Sequence, residues 1–395
     1  MGRRRGLKRP KASYDSSKVE HVEQTSIPSP QLAPLAGQGP RAGEGSQDEM
    51  PRMAIRGRYV LLFGLFVLAA LGFLYFVLPR IAGLQQTWDR LDDGNAWWIG
   101  VGVLFEVLSF TGYVVLFRTV CVPDQRQVGW RESYEISMAG LAATRLFAAA
   151  GAGGIALTAW ALRRSGMRRR TVACRMFAFL VLLYGVYMSA LVIDGVLLRV
   201  GVLSGPAPFA MTVVPAVFGG VVTSIVLAVA LVPADFERRL MHWRHGSSRI
   251  KQWAQRAATV PATMATGVRT AIRLTRDGEL GLIGALAWWA FDIATLWASF
   301  RAFGEAPPGG VLVMAYFVGM LANTLPLPGG IGGVEGGMIG AFIALGVSGG
   351  LAVVAVLVYR GLAFWLPTIP GAIAYFQLRR TVGRWQTEAQ PAHAT

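Results

Sequence analysis

Apolar residues in this chain gather into runs of about twenty, the length at which a helix spans a hydrocarbon core. Six runs are uninterrupted: 59–79, 97–120, 174–200, 208–233, 279–303 and 351–378. Inside lipid every backbone N–H and C=O needs an internal partner, so each run predicts a transmembrane helix. Two further apolar regions, 134–162 and 309–347, are broken in the middle by glycine and proline. The first break is Gly151-Ala152-Gly153-Gly154, the second Pro326-Leu327-Pro328-Gly329-Gly330-Ile331-Gly332-Gly333. Such runs end a helix and permit a tight reversal.

Loop charge sets the sidedness, because basic residues stay in the cytoplasm. Arg118, Arg126 and Arg131 precede the first broken region, and Arg163, Arg164, Arg168, Arg169, Arg170 and Arg175 follow it. Both of its ends therefore read as cytoplasmic. Pro307-Pro308-Gly309-Gly310 and Ser348-Gly349-Gly350 flank the second, which carries no basic cluster and reads as entering and leaving from outside. Loop 80–96, with Asp89, Asp92 and Asp93, reads as external; the basic loop 234–278 and Arg379, Arg380 and Arg384 read as internal. Both termini are thus expected in the cytoplasm, at the cell (inner) membrane. Each broken region is a re-entrant hairpin or a pair of short spans. The expected fold is all-α and integral to the membrane: six full spans plus two broken hairpins, as an inverted repeat of span, span, hairpin, span. The halves are 59–200 and 208–378 of a transmembrane domain at 58–380. Inverted repeats with broken helices are a transporter plan, with the site near the midplane between the repeats.

Residues 1–57 lack apolar periodicity and read as a disordered basic tail, and 381–395 as a short cytoplasmic tail. Within the basic loop, Trp243, Ile250, Trp253 and Val260 suggest either a helix on the headgroups or an ordinary basic connection.

Composition changes the picture in one respect. A net charge of +16 raises nucleic acid as a partner. Most arginines, however, flank the ends of apolar runs, the signature of cytoplasmic loops, and nucleic-acid binding is not expected. Cys121 and Cys174 lack metal-ligand spacing, and His242 and His245 are too few to hold a metal, so neither metal nor cofactor is expected. No nucleophile–base set or phosphate loop is present, and the chain does not read as an enzyme.

Ionisable residues within apolar runs carry the chemistry, since each costs roughly 2.5–3.5 kcal/mol at a span centre. They face a bundle interior or a wet cavity. Glu106, Arg145, Asp194, Asp292, Glu335 and Arg360 qualify. Glu335 follows the second break, where it can cap the next helix or touch substrate. Arg360 can bind a phosphate or pair with Glu335 or Asp292. Arg145 is its counterpart in the first hairpin, or snorkels to the interface. For Asp292 the natural partner is a cationic headgroup or a buried Arg; Glu106 can play the same part. Asp194 is expected to pair with Arg199. Asn323 can hydrogen-bond across the hairpin. Backbone N–H groups at the breaks, at Gly151, Gly153, Gly154, Gly329, Gly330, Gly332 and Gly333, can cradle a phosphate.

The stretch Asn323-Thr324-Leu325-Pro326-Leu327-Pro328-Gly329-Gly330-Ile331-Gly332-Gly333-Val334-Glu335, followed by Tyr359-Arg360, resembles the transmembrane domain of lysylphosphatidylglycerol synthases, a flippase-like family. The resemblance covers roughly 59–380. In the first hairpin, Arg145 to Gly151 keeps the Arg and the glycines but lacks the Pro and Glu of many relatives. The last expected span ends at 378 in a chain of 395 residues, which leaves no room for the soluble aminoacyltransferase domain of bifunctional members. The resemblance therefore implies translocation of a membrane lipid, a phospholipid or another lipid headgroup. Two other readings remain: a transferase or accessory factor for polyprenyl-linked sugars, and a scaffold for a partner protein. Oligomeric state stays open, a homo-oligomer included.

Overall fold

The computed structural model describes residues 94–123, 128–146, 152–231, 248–324 and 330–389. The N-terminal tail, the 59–79 run, Gly151 and Gly329 lie outside the described residues. All regular structure among the described residues is helical.

Helix α1 (Ala96–Cys121) starts where the Asn95 side chain accepts from the Trp97 N–H at 3.0 Å. Helices α2 (Trp130–Leu146) and α3 (Ala152–Arg164) form the first broken region, and α4 (Arg169–Arg199) and α5 (Phe209–Ala230) follow. The basic loop holds α6 (Ser248–Arg276). Next come α7 (Leu280–Phe303), and α8 (Gly309–Leu321) and α9 (Gly333–Ala344), which make the second broken region. The chain closes with α10 (Gly349–Arg360), a π-helical turn at Gly361–Trp365, and α11 (Leu366–Ala389). Five stretches are long and apolar enough to cross a bilayer, and they coincide with five of the six uninterrupted runs. The expected tail from 381 is instead helical to Ala389. Thr381 is buried there and donates to Glu135 of α2 at 2.7 Å, so the last helix continues as a packed element.

Helices α1 and α7 lie antiparallel at the centre. Gly102 faces Thr295 and Ala298, while Gly281 faces Thr119 and Val120. They come close because a Cβ on Gly284 would stand 2.7 Å from the Gly112 carbonyl oxygen and the Leu116 nitrogen. Small residues drive such packing in lipid, where burial of apolar surface against a partner gives little. Each broken region packs against the other half of the chain. Gly371 of α11 lies against Met138 and Ala142 of α2. On the other side, the Tyr187 hydroxyl of α4 donates to the Phe317 carbonyl of α8 at 2.6 Å.

Helix α6 lies against the protein. Ala262, Ala265, Val268 and Ala271 are buried at helical spacing, and Gly267 packs on Cys174 and Phe177 of α4. Arg269 donates to the Ala230 carbonyl at 3.0 Å, at the C-terminal end of α5. Trp243, Ile250, Trp253 and Val260 fall outside the residues whose side chains are described.

Candidate functional site

Both broken regions meet at a cavity of about 400 Å³, within the range of small-molecule sites. The first contributes Ser137, Gly140, Thr144, Arg145, Gly154 and Thr158; the second contributes Met320, Asn323 and Gly330. Glu106 from α1, Asp292 from α7, and Tyr359 and Arg360 from α10 complete its polar part. Gly153, Gly332, Gly333 and Glu335 are not among the described lining residues.

Arg145 is placed by the backbone of the last helix. Its Nη2 donates to the Ala363 carbonyl at 2.9 Å and its Nη1 to the Phe364 carbonyl at 3.1 Å. The sequence explains why Ala363 needs that bond. In an α-helix its acceptor would take the N–H of residue 367, and residue 367 is proline, which has none. The π turn at Gly361–Trp365 adapts to the same defect. The rings of Phe110 and Phe364 flank the guanidinium at 5.5 and 5.4 Å. Arg145 therefore does not snorkel. No carboxylate of the described residues stands within ion-pair distance of it, and among them its acceptors are the two neutral carbonyls.

Arg360 differs. Its Nε lies 2.7 Å from Glu335 Oε1, with both side chains buried. It also sits over the Phe364 ring at 4.5 Å. The other oxygen of Glu335 accepts from the Gly332 N–H at 2.7 Å and so caps α9. Gly332, with φ of 83°, supplies the left-handed start that glycine favours. Of the alternatives open in the sequence, the structure shows the Glu335 cap and the Arg360–Glu335 pair. Glu335 is a cap and ion-pair partner behind the cavity wall. The Gly332 N–H, expected to meet a phosphate, is occupied by that carboxylate.

Asp292 is buried, with Arg145 and Arg360 as its cationic neighbours. It accepts from two tyrosine hydroxyls, Tyr316 and Tyr359, the latter at 3.0 Å. Glu106 is buried beside it on α1, with the Thr295 hydroxyl 3.3 Å from its carboxylate. Its charged neighbours are Asp292 and Arg145. Tyr316 and Thr295 escaped the sequence reading, and Tyr359 entered it only as part of the family motif, because a hydroxyl in an apolar run costs less than a charge and raises no alarm.

Asn323 donates to Met320 Sδ at 3.2 Å, and its Oδ1 lies directly over Gly330, across the break. A side chain at Gly330, where φ is 67°, would strike it. Asp194 does not bond to Arg199. Its Oδ2 is buried without a hydrogen-bond partner, while Arg199 donates to the Ala207 carbonyl at 3.3 Å. Residues five apart point roughly 140° away from each other around a helix, which explains the miss.

Comparison with known proteins finds membrane-protein relatives. The profile described as lysylphosphatidylglycerol synthase TM region matches residues 60–371. Three UPF0104 membrane proteins of Methanothermobacter thermautotrophicus are similar to the chain. One is 32% identical over 164 residues, 40% of this chain and 46% of that protein. A second is 33% identical over 117 residues, 28% of this chain and 35% of that protein. A third is 23% identical over 343 residues, 82% of this chain and 96% of that protein. The match thus spans about half of the first relative and nearly all of the third. This multi-pass membrane protein belongs to the lysylphosphatidylglycerol synthase transmembrane-region family.

Proposed function

We propose that this protein translocates a lipid by seating its phosphate headgroup in the cavity between the two broken regions. The observation that carries the reading is Arg145. Its guanidinium bonds two neutral carbonyls at a cavity wall, with Glu106 and Asp292 as charged neighbours but neither within ion-pair distance, so its remaining N–H groups can still meet an anion. Arg360 already has Glu335 and serves the wall more than the ligand. Planar guanidinium donors suit phosphate oxygens. Asp292 and Glu106, which also line the cavity, balance the charge or hold an amino group of the headgroup.

Several features support an inverted repeat. The second spans expected in the two halves, α1 and α7, pair antiparallel. Each broken region donates to, or accepts from, the last helix of the other half: Arg145 to Ala363, and Phe317 from Tyr187. Basic residues at the turn between α3 and α4 and at the end of α6 support cytoplasmic termini in a cell membrane.

The test is reconstitution into liposomes with fluorescent-headgroup phospholipids, scored by dithionite access. Wild type should move the label faster than empty liposomes, and Arg145→Gln should lose that excess. Equal rates for wild type and empty liposomes would overturn phospholipid translocation.

A further inference from the structure

We propose that the cavity opens sideways into the bilayer through a cleft between α3 and α4, and that an acyl chain of the bound lipid lies in this cleft. The inference rests on the headgroup reading above and adds the path of the apolar part of the ligand.

The lining of the cavity is uneven. On α4 it follows Met176, Phe179, Leu180, Leu183 and Tyr184, one helical face at three- and four-residue spacing. Along that face the inner residues Phe179 and Leu183 are buried, whereas Tyr184 is 49% exposed. On α3, Ile155 lines the same cavity and is 47% exposed. Exposed apolar residues are ordinary on a membrane protein. A residue that lines the cavity and is also half exposed marks an opening.

Helix lengths explain the gap. At 1.5 Å per residue, α3 with its 13 residues is roughly 20 Å long, short of a hydrocarbon core of about 30 Å. Helix α4 has 31 residues. The two diverge from one tight turn at Gly166, where φ is 88°. Tyr184 stands roughly 22 Å along α4 from Arg169, beyond the reach of α3. Among the described residues, α3 therefore leaves the α4 wall uncovered at the level of Tyr184.

The chemistry of the two ends selects the occupant. The inner end presents Arg145. The cleft presents Ile155, Leu180 and Tyr184, which offer no charge to a soluble solute. An amphiphile with one phosphate fits: the phosphate meets Arg145 while its chain passes between Ile155 and Tyr184 and stays in hydrocarbon. The chain then avoids the charged end at Glu106, Arg145 and Asp292, and the headgroup avoids lipid.

The test uses the full chain in phosphatidylcholine vesicles that contain a phosphatidic acid with a diazirine on its acyl chain. After photolysis, adducts are mapped by mass spectrometry. Adducts are expected on Ile155 and Tyr184 and on the inward Leu183, and the Leu183 adduct should fall about tenfold in Arg145→Gln, as loss of a charge-assisted bond would give. Adducts on Val217 and Val221 of α5, which face outward, should not change. Labelling of Ile155 and Tyr184 at the level of Val217, with none on Leu183, would mean ordinary annular lipid and overturns the cleft. Ile155→Trp fills the cleft without touching the headgroup end and should suppress the Leu183 adduct. If Leu183 is labelled as expected but no lipid is translocated, the cleft stands and the translocation reading falls. If translocation proceeds at the wild-type rate in Ile155→Trp, translocation stands and the cleft falls.

Discussion

The Arg360–Glu335 pair allows a quantitative separation of structure from ligand binding. Both side chains are buried, at 7% and 3% exposure, and their atoms meet at 2.7 Å. Arg360→Met removes the cation and leaves the Glu335 carboxylate with only the Gly332 N–H. Breaking a buried pair from one side costs about 3–5 kcal/mol, because the remaining charge has lost its compensation. That is a factor of more than about a hundred in the folding equilibrium. A second variant, Arg360→Met combined with Glu335→Gln, removes both charges while the amide oxygen can still cap Gly332. Replacing both members of a buried pair is often nearly neutral, so the double variant should recover most of the loss. It should not recover the part due to the Arg360–Phe364 ring contact, which at 4.5 Å is worth about 1–2 kcal/mol when desolvated. The assay is the fraction of detergent-solubilised protein that stays monodisperse after a temperature ramp, read by size exclusion. Wild-type melting of the single variant would refute a structural pair. A double variant no more stable than the single would show that Glu335 is not the partner whose charge matters.

Arg145→Lys should fail to restore translocation, with a loss of at least about tenfold in the dithionite assay. One ammonium cannot hold both the Ala363 and Phe364 carbonyls and still present a fork to a phosphate. Tyr316→Phe and Tyr359→Phe should each lower thermal stability modestly, because Asp292 keeps the other hydroxyl. Together they should cost more than the sum, each charge-assisted bond being worth about 1.5–3 kcal/mol; strict additivity in the melting assay would argue against a shared acceptor. Gly284→Ala should cost about 1–3 kcal/mol by overpacking the α1–α7 crossing. Gly220→Ala, where a Cβ would meet nothing within 4 Å, is the control expected to melt at or above the wild-type temperature.

The spans were legible because the requirement that makes them is local. Hydrocarbon demands about twenty apolar residues in a row, and glycine with proline interrupts the helix at the residue where it stands. Even the Glu335 cap could be read, since a carboxylate three residues after a glycine break is a helix-start signature. The site was legible only as an inventory. Arg145 and Arg360 look alike in sequence, each a lone cation in an apolar stretch. What distinguishes them is packing: Glu335 is 25 residues from Arg360, whereas Ala363 is 218 residues from Arg145. One signal for the second contact was present all the same. Pro367 deprives the Ala363 carbonyl of its helical donor, so some donor from elsewhere had to reach it at membrane depth. A proline within an intramembrane helix thus marks a carbonyl in need of a partner. Here that partner is Arg145, a cation lining the cavity, so the last helix is joined to the cavity wall through one side chain. The hydroxyls on Asp292 follow the same logic in reverse: the buried carboxylate announced that donors must exist, and only the fold could say that they are Tyr316 and Tyr359 and not an arginine.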